Sequence, residues 1–210
     1  MARMLMNAEE TIVILPTYNE ASSLSAVIAD IRNYCKFEIL VVDDASTDDS
    51  AKIAESENVK VLPLCMNLGA WGAIQTGMRY AVKHGFQQVI TMDADGQHHA
   101  SEIQDLVKAG ELDSNMDVII GACPSRGSNL RRWAWGYFRR LTGVGIEDLT
   151  SGFRLYRRPA FEILSERKNT LLDYQDVGVL LVLQDAELSI SEVAVTMSPR
   201  LSGKSHIYYS

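Results

Sequence analysis

Three short apolar runs in the first hundred residues each stop at a polar loop that carries acids. Thr11 to Leu15 stops at Pro16-Thr17-Tyr18-Asn19-Glu20, and Glu38 to Val42 stops at Asp43-Asp44-Ala45-Ser46-Thr47-Asp48. Gln88 to Met92 stops at Asp93-Ala94-Asp95-Gly96-Gln97. Between the runs lie segments of helical period: Leu24, Val27, Ile28 and Ile31; a short helix holding Ile53 and Ala54, capped by Thr47 or Asp48; and Ala70 to Lys83, ended near Gly85. Further strands are predicted at Val59 to Leu62 and Met116 to Ile120, with a helix over Glu102 to Lys108. Strands alternating with helices require crossover connections, which predicts an α/β fold with a mainly parallel central sheet flanked by helices. Apolar runs that do not alternate cleanly suit strands covered on both faces.

The second half reads differently. Arg126, Arg131, Arg132, Arg139 and Arg140 are interleaved with Trp133, Trp135, Tyr137 and Phe138. A strand is expected at Ser151 to Tyr156, helices from Pro159 and over Tyr174 to Gln184, and a strand at Leu188 to Val195. With no repeat, low-complexity tract or Gly/Ser linker, residues 1–210 are expected to form one domain, divided functionally near residue 123. Residues 1–123 hold 8 Lys and Arg against 18 Asp and Glu, and residues 124–210 hold 12 against 9. The basic half points to an anionic ligand or surface. Nucleic acid is not expected as a partner, because the net charge is −7 and no basic tract is long.

No apolar run approaches the roughly eighteen residues that span a bilayer, and Met1 to Asn7 lack the apolar core of a signal peptide. Cys35, Cys65 and Cys123 are odd in number and not in a CxxC pattern, which suits reduced thiols and a cytoplasmic compartment.

In an open parallel sheet, ligands bind outside the carboxyl ends of the strands. Three acid-bearing loops are therefore expected to converge on one edge, where a cation or a hydrogen-bonding ligand would offset their repulsion. Asp93 and Asp95, two residues apart at a strand end, have the chemistry to share a magnesium or manganese ion, which prefers oxygen ligands and keeps positions open for phosphate. Gln97 could assist. The same Asp-Ala-Asp-Gly sequence also favours a simple turn. His98 is left open, and His99 is expected to be exposed at a turn. Asp43 and Asp44 suit the base and ribose of a nucleotide, or a helix N-terminus. Tyr18 could stack on a base, or pack in the core. No Walker loop or dinucleotide fingerprint is present, so hydride transfer and triphosphate hydrolysis lose support.

These motifs, with Asn67-Leu68-Gly69 and Ser151-Gly152-Phe153-Arg154, occur in an order that resembles family-two inverting glycosyltransferases of GT-A fold. Within them the set is most similar to the dolichol-phosphate mannosyltransferase and polyprenyl-phosphate glycosyltransferase group, from Thr11 to about Ile207. The resemblance implies a single Rossmann-like GT-A domain whose first half, about residues 11–123, binds a nucleotide-sugar and whose second half, about 124–210, binds the acceptor. It implies that Pro16, Tyr18 and Glu20 lie at the nucleotide and that Asp44 contacts its base. Asp93 and Asp95, with Gln97, would form the metal motif for Mg2+ or Mn2+. Arg154, Arg200 and Lys204 would meet phosphates, the last two within Arg200-Leu201-Ser202-Gly203-Lys204-Ser205. Two departures stand out. Ala45 sits where the family commonly has Gly, and Gly121-Ala122-Cys123-Pro124-Ser125-Arg126 is looser than the usual Gly-Ser-Arg stretch. Many relatives continue into membrane helices, whereas this sequence stops at Ser210, as a soluble form or a piece of a longer chain would.

The expected reaction is inverting transfer of a hexose from a GDP- or UDP-sugar to a polyprenyl phosphate. Such an acceptor is already ionised and needs cations, with Arg126, Arg131, Arg132, Arg154, Arg200 and Lys204 as candidates. A saccharide or protein hydroxyl would instead need a general base. Asp148 is the first candidate and Glu147 the second; Asp148 could equally make a structural hydrogen bond in its loop. Arg131 to Arg140 mixes the residues of an interfacial helix, which allows peripheral contact with the cytoplasmic face of a membrane. The alternatives are a nucleotidyltransferase, disfavoured by the loop after the first strand, and a non-catalytic nucleotide-sugar binding module.

Overall fold

The computed structural model describes residues 8–123, 146–170 and 175–199. Its strands are β1 (Thr11–Thr17), β2 (Glu38–Asp43), β3 (Lys60–Pro63), β4 (Gln88–Thr91), β5 (Val118–Ala122), β6 (Arg154–Arg157) and β7 (Ile190–Ala194). Its helices are α1 (Leu24–Tyr34), α2 (Ser50–Ser56), α3 (Gly69–His84), α4 (Ile103–Leu112), α5 (Arg158–Ser165) and α6 (Gln175–Asp185). The strands form one seven-stranded sheet in the order β3-β2-β1-β4-β6-β5-β7. All pairings are parallel except those of β6, which runs antiparallel to both β4 and β5. The two halves of the sequence thus share one sheet, with β6 from the second half set between two strands of the first.

Both faces of the sheet are covered, which explains why the apolar runs do not alternate with polar residues. In β1, Ile12 and Ile14 join Trp71, Met78 and Ala81 of α3 and Phe161 of α5 in one buried cluster. Val13 and Leu15 join Leu24, Val27, Ile28 and Ile31 of α1 and Ile103 and Leu106 of α4 in the other. Ile12 through Leu15 have no exposed surface at all. Burial of each such side chain contributes roughly 1.5–3 kcal/mol. The four helical-period residues read in α1 are its four buried ones.

The strand predicted from Ser151 begins only at Arg154. Ser151 is tied sideways: its hydroxyl donates to the Gly121 carbonyl at 2.6 Å and accepts from the Phe153 amide at 3.3 Å. Chain direction matters most at β1. From β1 the chain moves outward to β2 and β3, then crosses back to β4 on the other side of β1. That reversal sets the loops after β1 and β4 side by side at the carboxyl ends of the strands, the usual place for a ligand in such sheets.

Candidate active site

The loops after β1 and β2 are stitched together by side chains bonding to backbone. Asn19, with a left-handed φ of 56°, accepts through Oδ1 from the Thr47 amide at 2.8 Å and the Asp48 amide at 3.3 Å. The Asn19 amide donates to Ser46 Oγ at 3.0 Å, the Glu20 amide to Ser50 Oγ at 2.9 Å and the Ala21 amide to Asp48 Oδ2 at 3.1 Å. Partial burial works against ionised Asp48. The hydrogen bonds from the Ser50 hydroxyl and from the Ser50 and Ala21 amides outweigh it and hold the carboxyl below its ordinary range.

Asp44 is 2% exposed, and both its carboxylate oxygens are engaged at the start of α3. Oδ1 accepts from the Leu68 amide at 2.6 Å and Oδ2 from the Gly69 amide at 2.8 Å. These are amides that the first turn of a helix leaves without intrahelical partners. Burial pushes the Asp44 carboxyl up, the two amides oppose that, and the neighbouring Asp43 charge adds to it. Asp43 is itself 5% exposed, and its Oδ1 has no hydrogen-bond partner among the described residues. Of the acid pair that sequence reasoning gave to the nucleotide, Asp44 is thus engaged with α3, and Asp43 keeps a buried acceptor without a partner among the described residues. Ala45, where the resembled family commonly has Gly, adopts a left-handed φ of 59°.

The loop after β4 carries the paired carboxylates. The Asp93 side chain is 35% exposed, with its Oδ2 4.0 Å from His98 Nε2. Asp95 is 7% exposed, and its Oδ1 accepts from the Gln97 amide at 3.0 Å across Gly96, whose φ of 75° makes that turn. The Ser23 hydroxyl joins this loop to the first, donating to the Ala94 carbonyl at 2.8 Å and lying 3.2 Å from Glu20 Oε2. Ser23 therefore ties Glu20 to the loop that carries Asp95 at the sheet reversal. Pro16 and Tyr18, both half-buried, belong to the same edge.

A later segment docks on the far side of this loop. His98 pairs with Met197 in an isolated antiparallel bridge, and the Ser198 amide donates to the Gln97 carbonyl at 2.8 Å. Gln97 Nε2 lies 3.4 Å from the Ser198 carbonyl, so its amide nitrogen faces the docked segment. His98 is buried, with its ring 5.0 Å from that of Phe153. His99 is half-buried and lies 3.0 Å from Ser198 Oγ, rather than exposed at a turn as expected, because residues 195–198 fold back over it.

Among the described residues of the second half, Arg154, Asp148 and Glu192 hydrogen-bond to the chain itself. Arg154 is 3% exposed and pairs in register with Thr91 of β4. Its Nε donates to the Ser151 carbonyl at 2.6 Å and its guanidinium to the Leu149 carbonyl at 3.2 Å. Asp148 has no exposed surface. Its Oδ2 accepts from the Cys123 amide at 3.1 Å, and its Oδ1 from the amide and hydroxyl of Thr150, each at 3.2 Å. The amides of Glu147 and Asp148 are held by the Glu192 carboxylate at 2.7 and 2.9 Å. Arg126, Arg131, Arg132, Arg139, Arg140, their neighbouring aromatics, Arg200 and Lys204 lie outside the described residues.

Two hard carboxylates, one of them half-open, fit a divalent cation completed by phosphate oxygens and water. Among the described residues no cluster of three or more His, Cys, Asp or Glu gathers in ligand geometry, so protein side chains of these types do not complete such a shell. An open cleft of about 490 Å³ lies at the opposite end of the strands, around Arg32, Lys36 and Lys60, away from all these loops.

Residues 12–170 match glycosyl transferase family 2. The polyprenol monophosphomannose synthase of Mycolicibacterium smegmatis is 34% identical over 171 residues, covering 73% of this chain and 64% of the relative. The undecaprenyl-phosphate mannosyltransferase of Micrococcus luteus is 32% identical over 162 residues, covering 70% of this chain and 65% of the relative. The chain spans just under two-thirds of the length of these relatives. Among solved structures, glucosyl-3-phosphoglycerate synthase from Mycobacterium tuberculosis in complex with Mn2+, uridine-diphosphate and phosphoglyceric acid superposes with a TM-score of 0.74. That match covers 93% of this chain and 72% of the other at 19% identity, and it shows a shared fold.

Proposed function

The chain belongs to glycosyltransferase family 2, and from that premise we propose that it transfers a hexose from a nucleotide-sugar to a polyprenyl phosphate. The observation that carries this reading is the Asp93-Ala94-Asp95 loop, which ends β4 at the sheet reversal with the Asp93 carboxylate open to solvent. The names of the two relatives support the lipid-phosphate acceptor. The Mn2+ and uridine-diphosphate in the complex of similar fold support the donor class and the cation.

Asp93 and Asp95 would hold Mg2+ or Mn2+, which when bound neutralises the charge that builds on the departing diphosphate. Pro16, Tyr18 and Glu20 line the donor's nucleotide from β1. In this structure the carboxylate oxygens of Asp44 already accept from the start of α3, so Asp43 is the acid with an acceptor to spare for the base or ribose. GDP- and UDP-hexoses both present N–H and hydroxyl donors that such an acceptor would take.

The surroundings of Asp148 support the phosphate acceptor. A general base must reach the proton it removes, yet both oxygens of buried Asp148 accept from Cys123 and Thr150. An ionised phosphate needs no such base. It attacks the anomeric carbon opposite the diphosphate, with inversion, through an oxocarbenium-like state. Arg126, Arg131, Arg200 and Lys204 are assigned to hold the acceptor phosphate. Arg154 is assigned to shape the loop beneath Asp93, with its charge adding to the field there. No helix among the described residues is long and apolar enough to cross a membrane. Arg131 to Arg140 is assigned to peripheral contact with an anionic headgroup surface at the cytoplasmic face.

The test is transfer from a panel of GDP- and UDP-hexoses to a polyprenyl phosphate, with and without Mn2+ or Mg2+, reading nucleotide release and lipid product. Metal-dependent lipid product is the expected result and names the donor. Transfer to a saccharide or protein hydroxyl alone would replace the acceptor assignment. Donor binding without transfer to any acceptor would favour a binding module, and no donor binding would end the proposal.

A further inference from the structure

Gly152 poses a specific question. Its φ is not left-handed, so the backbone there accepts any L-residue. The position is restricted instead by what a side chain would meet. A Cβ built on Gly152 lies 3.2 Å from Asp93 Oδ1 and 3.3 Å from Oδ2, tighter than ordinary van der Waals contact, and 3.5 Å from Cγ. The missing side chain leaves a space that the Asp93 carboxylate fills.

Gly152 is also held in place from three directions. Its carbonyl accepts from the Thr91 hydroxyl at 2.7 Å, which fixes it to the end of β4, two residues before Asp93. Ser151 is tied to the Gly121 carbonyl, and the Arg154 guanidinium clamps the Leu149 and Ser151 carbonyls. Asp148 fastens the start of the same loop to Cys123 and Thr150. The buried charges at 148 and 154 thus brace a segment that meets the acidic loop where Gly152 faces the Asp93 carboxylate and the Phe153 ring lies near His98.

We propose that Gly152 is a positioning residue: its bare α-carbon is the surface against which the Asp93 carboxylate rests, and it sets the orientation in which Asp93 meets a divalent cation. The inference rests on the reading of Asp93 as a cation ligand. A methyl group at 152 displaces the carboxylate by a few tenths of an ångström or turns it toward solvent, which its partial exposure allows. The fold tolerates that shift, and ligand geometry does not.

The test is Gly152→Ala, in the parent and in an Asp93→Ala background, read by two measurements that need no turnover. Thermal melting of the metal-free proteins comes first. Gly152→Ala lowers Tm by about 3 °C in the parent, roughly 1 kcal/mol for a chain of this size. In the Asp93→Ala background the same change leaves Tm nearly unmoved, because the atoms it would meet are gone. An equal loss in both backgrounds would make Gly152 a purely structural residue and overturn the proposal. Mn2+ binding in the presence of UDP or GDP comes second, followed by the spin-resonance signal of free Mn2+. The expected result is about tenfold weaker binding in Gly152→Ala, equivalent to about 1.4 kcal/mol, with turnover restored by excess Mn2+. If the parent binds Mn2+ and the variant binds it equally, Gly152 loses its role while the cation reading stands. If the parent binds none, both fall together. Should Gly152→Ala fail to fold alone, recovery of folding in the double variant supports the proposal and failure of both overturns it.

Discussion

The loop after β4 and the loop before β6 meet at Asp93 and Gly152, yet they use charge in opposite ways. Residues 93–97 keep a carboxylate partly in solvent, and Asp93 retains 35% of its side-chain exposure. Residues 148–154 enclose theirs, with Asp148 fully buried and Arg154 3% exposed. In the first loop the Asp93 carboxylate reaches solvent. In the second the charges hydrogen-bond to the chain's own amides and carbonyls. Equal prominence in the sequence motifs therefore does not mean equal access, because buried Asp148 and Arg154 are hydrogen-bonded to the chain itself.

The sharpest way to break this comparison is to remove one acid from each loop. Asp93→Ala should cost roughly a thousandfold in metal-dependent turnover, several kcal/mol of lost charge stabilisation. Its melting temperature should stay within a few degrees of the parent, since a half-open carboxylate is removed. Asp148→Ala should do the reverse, losing about 3 kcal/mol of stability in a denaturant titration as buried amides lose their acceptor. Asp148→Asn keeps the acceptor at one position, and with a phosphate acceptor its turnover should stay within about threefold of the parent. A loss of about a hundredfold or more at unchanged stability would return Asp148 to the role of base.

A smaller effect tests the loops around β2. Ala45 holds a left-handed φ of 59°, a conformation costing an L-residue roughly 1 kcal/mol. Ala45→Gly removes that strain but gains unfolded-state entropy, so a net stabilisation of about 0.5 kcal/mol is expected in chemical denaturation. A net loss would mean that the Ala45 methyl is held by packing.

The smallest effect separates two acids four residues apart. Asp48 is held below its ordinary range, so the folded state favours its ionised form. That contribution is complete above the ordinary carboxylate pKa, near pH 4, and is lost as pH falls through the lowered value. Asp44 is pushed up, so its ionised form opposes folding above its raised pKa, and acidification relieves that cost. Melting temperature followed from pH 6 to pH 2 should therefore fall less steeply in Asp48→Asn than in the parent. An unchanged slope would remove Asp48 from the acid response.

Much of the fold and about half of the site are legible in local pattern. The helical-period residues of α1 and the turn at Gly85 follow from short-range rules of burial and turn formation, whereas β1 runs on through Pro16 to Thr17, past the end expected at Leu15. The GT-A-like α/β architecture implied by the motif order is the one found. Other features rest on contacts across long sequence distances. Glu192 holds the amides of residues 147 and 148 from 45 and 44 positions away, and Ser23 reaches Ala94 across 71. No periodicity or motif marks either one. The antiparallel placement of β6 between β4 and β5 is likewise invisible, because a strand's own residues specify its faces but not its neighbours.

The sequence by itself determined which residues are strand, helix and acid-bearing loop, and the order in which the loops occur. Those properties depend on side-chain period, backbone preference and charge within a few residues. Only the tertiary structure decided which charges remain available. Asp93 closes an apolar run and Asp148 follows Gly145-Ile146-Glu147, yet neither setting says which carboxylate stays open. One ends beside a glycine and open solvent; the other ends inside the protein, where burial forces every polar atom to find a partner.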